Sequence, residues 1–245
     1  MRLPLSSAIA DRLDVLDEAG STNAVLAARA RAGTEPEFSV VVTMNQTAGR
    51  GRLGRTWTAP PGRTIAVSVL LTPPDSAKLG WIPLIAGLAM TRAVRSLVAG
   101  HEVTLKWPND VQVDGLKVSG LLAELVPGAG VVMGAGLNLT MDAAELPTPV
   151  STSLTLVGAD PEGIEDAALA AYLTELKALY ARLLDGAGVR GEVERECSTV
   201  GRSVRVELPG GDNLYGTATG LDEGGRLVVD GRAIAAGDVT HLRYV

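Results

Sequence analysis

Four arginines and four glycines share one acid-free stretch of the chain, and this combination predicts an anion-binding loop. No Asp or Glu occurs between Phe38 and Pro74, although the chain has 28 acidic against 22 basic residues and a net charge of −6. Glycines let the backbone approach a ligand closely, and guanidinium groups donate paired hydrogen bonds to phosphate or carboxylate oxygens. The alternative interpretation is a solvated hairpin loop. The residues concerned are Gly49, Arg50, Gly51, Arg52, Gly54, Arg55, Gly62 and Arg63.

Two known phosphate-binding motifs overlap this stretch but fail on their context. Residues 49–54, GRGRLG, match GxGxxG, and GRGRLGRT nearly matches a P-loop with Arg55 in place of its lysine. Both motifs need a helix directly after the glycines. The following TWTAPPG contains Pro60 and Pro61 and cannot open a helix. We therefore predict that the loop binds its anion with another geometry.

Three further clusters could carry chemistry, and each also has a structural interpretation. Residues 106–110, KWPND, end a strand-like run in a polar turn, which by itself is an ordinary turn signal. Residues 117–120, KVSG, open an apolar strand with a lysine that could simply extend from a sheet edge. Residues 134–136, GAG, interrupt the strand pattern VVMGAGLNL, which indicates either a bulge or the close approach of a ligand.

The periodicity of apolar residues predicts the elements that must position these clusters. Alternating and β-branched runs separated by PND, DG and PGAG turns indicate a mixed, mainly antiparallel sheet, and three helical patterns flank it, so the fold class is α+β. From about residue 201, short strands joined by glycine-rich turns predict a small β-barrel. One predicted helix starts at Ser21 or Thr22 and ends at Gly33, and two others span 78–99 and 165–185. The predicted strands are 39–44, 64–71, 103–107, 111–113, 116–126, 131–139, 203–208, 214–221, 227–229, 232–235 and 241–245. Residues 140–152 are predicted to form a loop.

Composition excludes several classes of protein. A single cysteine, Cys197, excludes an internal disulfide and a multi-cysteine metal site, and two histidines leave little for a zinc centre. The longest apolar runs are far shorter than a membrane span, and the net negative charge disfavours nucleic acid as a partner. We therefore expect a cytoplasmic protein that binds neither membranes nor DNA.

Five motifs taken together resemble the biotin protein ligase family. In chain order they are Ser21-Thr22-Asn23, QTAGRGRLGRTW, KWPNDV, KVSGLLAEL and GAGLNL, and they span nearly the whole chain. The resemblance implies a catalytic domain of the biotin/lipoate ligase type at residues 1–198 and an SH3-like β-barrel at 199–245. Regulatory members carry an additional N-terminal DNA-binding domain, and since Ser21 lies near Met1 we expect a monofunctional ligase that does not repress transcription.

The resemblance also implies the reaction, the cofactors and the partner. Biotin and MgATP would give biotinoyl-5′-adenylate and pyrophosphate, and a lysine of a biotin carboxyl carrier protein or domain of an acyl-CoA or pyruvate carboxylase would then take the biotin. We expect a monomer or weak dimer. Residues 140–152 would order over the adenine.

By the same resemblance, Lys117 and Arg52 are the expected catalytic residues, and Asp110 is the expected Mg²⁺ ligand. The biotin-binding positions would be Ser21, Thr22, Asn23, Gln46, Gly49, Arg50, Arg52, Lys117, Gly120, Leu122, Gly134 and Gly136. The ATP- and adenylate-binding positions would be Arg50, Arg52, Arg55, Trp57, Lys106, Asn109, Asp110, Lys117 and Asn138.

Three other functions stay open at this point. A lipoate or octanoate ligase would share the fold and the adenylate chemistry. A nucleic-acid-binding module would use the arginines and Trp57 to hold backbone and bases, against which the acidity and the eight aromatic residues of the chain argue. A sensor of small molecules would keep the pocket without needing Lys117.

Overall fold

The computed structural model describes residues 1–235 and 237–242 of the 245-residue chain. Its helices are α1 (Pro4–Ser7), α2 (Thr22–Arg31), α3 (Ile82–Leu97), α4 (Ile164–Leu184) and α5 (Arg190–Glu196), and short 3₁₀ segments cover Arg52–Gly54, Ser76–Trp81 and Thr155–Val157. Its strands are β1 (Arg12–Leu16), β2 (Ser39–Thr43), β3 (Gly49–Arg50), β4 (Thr56–Trp57), β5 (Thr64–Leu71), β6 (Val103–Lys106), β7 (Asp110–Val113), β8 (Leu116–Val126), β9 (Gly130–Asn138), β10 (Ser203–Glu207), β11 (Asn213–Leu221), β12 (Leu227–Val229), β13 (Arg232–Ile234) and β14 (Asp238–His241).

A mixed, mainly antiparallel sheet forms the centre of the molecule. Its strand order is β1-β2-β5-β9-β8-β7-β6, in which β1 and β2 run parallel and the other neighbours run antiparallel. The predicted α+β fold class is therefore confirmed. Strands β1 and β2 are parallel because α2, which connects them, carries the chain back to the end of the sheet at which β1 began.

Helices cover both faces of this sheet, which explains why its central strands are nearly continuous apolar runs. Successive residues of a strand point to opposite faces. Val40 and Val42 of β2 join the large core under α3 and α4, whereas Val41 joins a smaller cluster under α2. The Leu26 side chain of α2 is fully buried in that smaller cluster, and burial of a leucine stabilises the fold by about 2 kcal/mol.

The helix predicted at 78–99 begins later than the spacing indicates. Residues Ser76–Trp81 form a 3₁₀ segment whose first turn is capped by Asp75, and α3 starts at Ile82. Pro83 fixes this start, because proline is tolerated in the first turn of an α-helix but not in its interior.

The sequence analysis missed two short helices, α1 and α5, and three short strands, β1, β3 and β4. The turn of α1 depends on a partner distant in sequence, since the Asp166 carboxylate accepts hydrogen bonds from the backbone N–H groups of Leu5 and Ser6, both at 2.9 Å. Such a tertiary contact leaves no signal in the local pattern of residues 4–7.

The C-terminal strands form a second sheet in the order β13-β12-β11-β10-β14. Within the described residues its edge strands β13 and β14 do not pair, so the predicted barrel is seen here as an open sheet, compatible with the predicted SH3-like architecture. Residues 243–245 of the predicted last strand lie outside the described residues. The sheet contacts the main body through Trp81, whose indole Nε1 donates to the Glu223 carbonyl at 2.8 Å.

Candidate functional site

A pocket opens on the α2 face of the central sheet, beside the N-terminus of that helix. Its floor is formed by β5, β8 and β9. Along β9, Met133 and Leu137 point into the large core, so Gly134 and Gly136 face the pocket.

These two glycines are needed because other side chains lie directly above them. A Cβ at Gly134 would lie 2.2 Å from Asn23 Oδ1, and a Cβ at Gly136 would lie 2.5 Å from the Trp57 ring. The pairing of β9 with β5 runs without a register shift from Val131 to Asn138, which rules out the alternative of a bulge. The GAG sequence therefore marks a close approach, as one of its two interpretations predicted.

The N-terminus of α2 forms one end of the pocket. Ser21 caps the helix, its Oγ accepting from the Ala24 N–H at 3.4 Å. The Gln46 side chain closes the same end, since its Oε1 accepts from the Thr22 N–H at 3.0 Å. Ser21, Thr22 and Asn23 are all buried, and all three line the pocket.

Residues 49–57, which we call the arginine loop, fold over the pocket as a small hairpin. Strand β3 pairs with β4, and the Gly51 N–H donates to the Arg55 carbonyl at 2.7 Å. The turn places Leu53 and Gly54 in the left-handed region, at φ 55° and 74°. A strand rather than a helix follows the glycines, so the loop is neither a dinucleotide fingerprint nor a P-loop.

The arginines of this loop are held by groups from three other parts of the chain. Arg50 donates to Glu124 of β8 at 2.9 Å. Arg52 donates to Asn109 Oδ1 at 3.0 Å and to the Gly237 carbonyl at 3.3 Å.

The third arginine connects the loop to the C-terminal sheet. Arg55 pairs with the Asp238 carboxylate of β14 at 2.5 Å, and Asp238 itself lines the pocket. Together with the Gly237 contact, this pair brings the C-terminal sheet to the edge of the candidate site.

Lys117 and Asp110 form the second charged group of the pocket. Lys117 Nζ lies 2.6 Å from Asp110 Oδ1 and 5.9 Å from the centroid of the Trp57 ring. The antiparallel pairing of β7 with β8 brings them together, because it sets Asp110 opposite Gly120, close to Lys117. Asn109 is fixed in the same turn, since its Nδ2 donates to the Leu121 carbonyl at 2.9 Å.

The charges around Arg52, Arg55 and Asp238 perturb one another. Burial lowers the pKa of Arg52, although the carboxylates of Asp238 and Asp110 oppose that effect. The hydrogen bond to Asp238 raises the pKa of Arg55. Burial alone would raise the pKa of Asp238, but the hydrogen bond and charge of Arg55 outweigh it and hold that pKa below its usual value. All three groups are therefore charged at neutral pH.

The segment 140–152 is a loop, as predicted, and its end is attached to the backbone of Lys117. The Lys117 N–H donates to the Val150 carbonyl and the Thr152 N–H donates to the Lys117 carbonyl, both at 2.8 Å. Asn138 anchors the same segment by donating from Nδ2 to the Thr152 carbonyl at 2.8 Å.

The structure gathers most of the predicted site residues around one pocket. Gly49, Lys106 and Asn138 do not line it: Gly49 lies in the hairpin behind Gln46, and Asn138 is buried under the 140–152 loop. The predicted residues that line it are Ser21, Thr22, Asn23, Gln46, Arg50, Arg52, Arg55, Trp57, Asn109, Asp110, Lys117, Gly120, Leu122, Gly134 and Gly136.

Asp238 is the charged lining residue that the sequence analysis missed. Nothing in the local sequence marks it, because its role comes from a contact with Arg55, 183 residues away. The sequence signal that could have found it is indirect: an arginine-rich loop in an acidic protein needs acidic partners from elsewhere in the chain.

Residues 1–235 and 237–242 contain no cluster of three or more His, Cys, Asp and Glu side chains able to hold a metal ion. In the same described part of the chain, no helix combines the length and the apolar character needed to cross a membrane.

Comparisons with known proteins identify two matching families. The model of the Biotin/lipoate A/B protein ligase family matches residues 17–138, and that of the Biotin protein ligase C terminal domain matches residues 199–242.

Individual relatives agree with these matches. The chain is similar to the biotin--[acetyl-CoA-carboxylase] ligase of Mycobacterium tuberculosis, with 40% identity over 95% of this chain and 90% of that protein. It is 29% identical to the bifunctional ligase/repressor BirA of Bacillus spizizenii, over 80% of this chain but only 62% of the repressor. Among solved structures, the biotin protein ligase of Aquifex aeolicus in complex with biotin and ATP superposes with a TM-score of 0.75 at 28% identity, covering 96% of this chain and all of that one.

Proposed function

Because the chain belongs to the Biotin/lipoate A/B protein ligase family, we propose that it is the enzyme that activates biotin with ATP and transfers it to a carrier protein. The observation that carries the proposal is the pocket itself. It combines a polar end, formed by the buried Thr22 and the half-buried Gln46, with a cationic end at Arg52 and Lys117, and biotin has a polar ring at one end and a carboxylate at the other.

In the first step, a carboxylate oxygen of biotin attacks the α-phosphorus of ATP. A new O–P bond forms, the bond from the α-phosphorus to the bridging oxygen breaks, and pyrophosphate leaves with that electron pair. Repulsion between the two anions opposes the approach. Lys117 and Arg52 counter it by placing positive charge where negative charge accumulates, so no covalent bond to the enzyme is needed.

In the second step, the amine of a carrier lysine attacks the acyl carbon of the adenylate. The new C–N bond forms, AMP leaves, and the amine loses a proton. The arginine loop lies over the pocket through contacts made by side chains, which include the Arg50–Glu124 and Arg55–Asp238 pairs. We propose that it retains the reactive anhydride until the carrier lysine arrives.

Asp110 lines the pocket with a partly exposed carboxylate, an oxygen ligand that fits a magnesium ion arriving with ATP. Mg²⁺ is commonly bound through one or two carboxylates together with substrate phosphates, so a three-carboxylate cluster is not required. We propose that Asp110 holds the ion, which would neutralise phosphate charge when bound.

The proposed carrier is supported by a relative rather than by the geometry of the pocket. The mycobacterial relative is a biotin--[acetyl-CoA-carboxylase] ligase. We propose a biotin carboxyl carrier domain of a carboxylase as the acceptor and a cytoplasmic location. The domain boundary at residues 198 and 199 and the monomeric or weakly dimeric state remain predictions.

ATP–pyrophosphate exchange with Mg²⁺ tests the proposal, because it isolates the first step and needs no acceptor protein. Exchange with biotin, but not with lipoate or octanoate, is the expected result. Exchange with lipoate or octanoate but not with biotin would identify the chain as a lipoate or octanoate ligase. If no acid supports exchange but the protein binds single-stranded RNA with an affinity that falls steeply as salt rises, the nucleic-acid interpretation replaces the enzyme.

A further inference from the structure

Asn138 is the last residue of β9, and it holds the end of the 140–152 loop from beneath. Its Nδ2 donates to the Thr152 carbonyl at 2.8 Å, and its own carbonyl accepts from the Leu154 N–H at 3.1 Å. The opposite orientation of the amide would set Oδ1 against the Thr152 carbonyl, where neither oxygen could donate. The Asn138 amide therefore supplies the donor that fixes Thr152.

Strand β9 does not reach the part of β8 that carries Lys117. The pairing of β9 with β8 ends at Leu137, opposite Ser119. Leu139 then donates to the Arg63 carbonyl at 3.0 Å, on the side of the sheet away from β8. Within the described part of the chain, β9 therefore does not pair with Lys117.

The 140–152 loop takes the place of β9 beside Lys117. Ser151 forms an isolated parallel bridge with Lys117. The Lys117 N–H donates to the Val150 carbonyl and the Lys117 carbonyl accepts from the Thr152 N–H, both at 2.8 Å. Thr152 thus holds Lys117 with its N–H group while its carbonyl is held by Asn138.

Strand β7, on the other side of β8, pairs irregularly at the same point. Val111 faces Ser119 and Gln112 faces Lys117, so Val118 is an extra residue on β8. An extra residue disrupts the ladder locally and changes the direction in which its neighbours point. The position of the Lys117 backbone therefore depends on the loop more than it would in a regular sheet.

We infer that Asn138 is a positioning residue for Lys117: by holding Thr152, it fixes the backbone from which Lys117 extends to Asp110 and the reacting groups. The inference rests on the proposed function, in which Lys117 meets the carboxylate and the α-phosphate. A displacement of about 1 Å in a group that must be aligned with the reacting atoms can lower a rate by about 10²-fold. The amide of Asn138 would thus act on the rate without touching the substrates.

Asn138→Ala tests this inference in ATP–pyrophosphate exchange, and Ser153→Ala is its matched control. Ser153 is fully buried and its Oγ donates to the Met141 carbonyl at 2.7 Å, so the control also removes a buried hydrogen bond to the backbone of this segment. It leaves the contacts of Lys117 in place. We expect kcat of Asn138→Ala to fall about tenfold, less than the full 10²-fold because Asp110 still pairs with Lys117. KM for biotin should stay within twofold, and kcat of Ser153→Ala should match the wild type.

A double variant separates positioning from a general loss of structure. If Asn138 acts through Lys117, adding Asn138→Ala to Lys117→Ala should slow exchange no further, since two residues that act as one unit are not additive. A further tenfold loss in the double variant would overturn the inference. So would a rise in KM for ATP with unchanged kcat in Asn138→Ala, because that result would make Asn138 Oδ1 a contact of the nucleotide.

Asn138→Asp provides a second, nearly isosteric variant with a pH-dependent readout. An ionised carboxylate cannot donate to the Thr152 carbonyl, whereas a protonated carboxyl can, and burial raises the pKa of a carboxyl. The kcat of Asn138→Asp relative to the wild type should therefore rise as the pH is lowered from about 8 to about 6, while that of Asn138→Ala stays constant. A constant ratio for the aspartate variant would overturn the inference. Absence of biotin-dependent exchange in the wild type would instead overturn the proposed function.

Discussion

Replacing Lys117 by alanine should slow adenylate formation about 10³-fold while leaving the fold and most of the biotin pocket intact. Lys117 is the cation that rises from β8 into the pocket beside Asp110, with its side chain one-third exposed. Deleting one preorganised group that stabilises charge in a transition state typically costs 10²–10³-fold in rate. Because Lys117 would meet both the carboxylate and the phosphate, we expect a loss of about 10³-fold, or about 4 kcal/mol of barrier.

The effect of this change on stability should be small by comparison. Lys117 and Asp110 are 32% and 23% exposed, and a partly solvated ion pair of this kind contributes at most about 1 kcal/mol after screening. For a domain of this size, that corresponds to a fall of about 2–4 °C in Tm. A rate loss of 10³-fold at 25 °C therefore cannot come from unfolding.

The assay is ATP–pyrophosphate exchange, with biotin binding and thermal unfolding measured on the same samples. Lys177→Ala is the matched control, because Lys177 also pairs with an aspartate, Asp11, at 3.0 Å, but lies outside the pocket lining. It should lose a little stability and no activity. Exchange by Lys117→Ala within fivefold of the wild type would refute the assignment, and would favour a pocket that binds without catalysing.

Three other changes test the arginine loop and the domain contact. Arg52→Gly removes the hydrogen bonds that tie the loop to Asn109 and Gly237, so biotinoyl-adenylate should escape and label bystander proteins; strictly acceptor-dependent labelling would contradict this. Asp238→Asn removes a negative charge from the pocket and frees Arg55, so KM for ATP should fall a few-fold at low salt and the difference should shrink at high salt; a higher KM would mean that Asp238 instead orients Arg55. Burial, above all, lowers the pKa of His241 to about 4. Between pH 6.5 and 4 the unfolded state therefore binds more protons than the folded state, and the free energy of unfolding decreases as the pH is lowered. His241→Gln should remove that part of the slope in urea unfolding; identical slopes would show that the histidine is not protected.

Much of the candidate site could be predicted because its parts are local sequence signals. An acid-free run with four arginines, a lysine opening an apolar strand, and two glycines inside a strand are each unusual for the position that they occupy. The helix at Ser21 and the strand at 64–71 were predicted for the same reason, since caps and β-branched runs act within a few residues. Asn138 shows the limit of this reasoning, because an asparagine at a strand end is equally suited to hold a ligand or, as here, the neighbouring loop.

By itself, the sequence determined the class of the fold, the family and the chemical character of the pocket, because these depend on residue types and on periodicities that act locally. Only the tertiary structure decided which groups meet. It brought Asp238 from the C-terminal sheet to Arg55, set Lys117 against Asp110 through the pairing of two strands, and placed Ser68 beneath Thr22 and Asn23, within hydrogen-bond distance of both. The Lys117–Asp110 contact depends on the register of two neighbouring strands, and the others join residues tens to hundreds of positions apart, so no linear pattern records them.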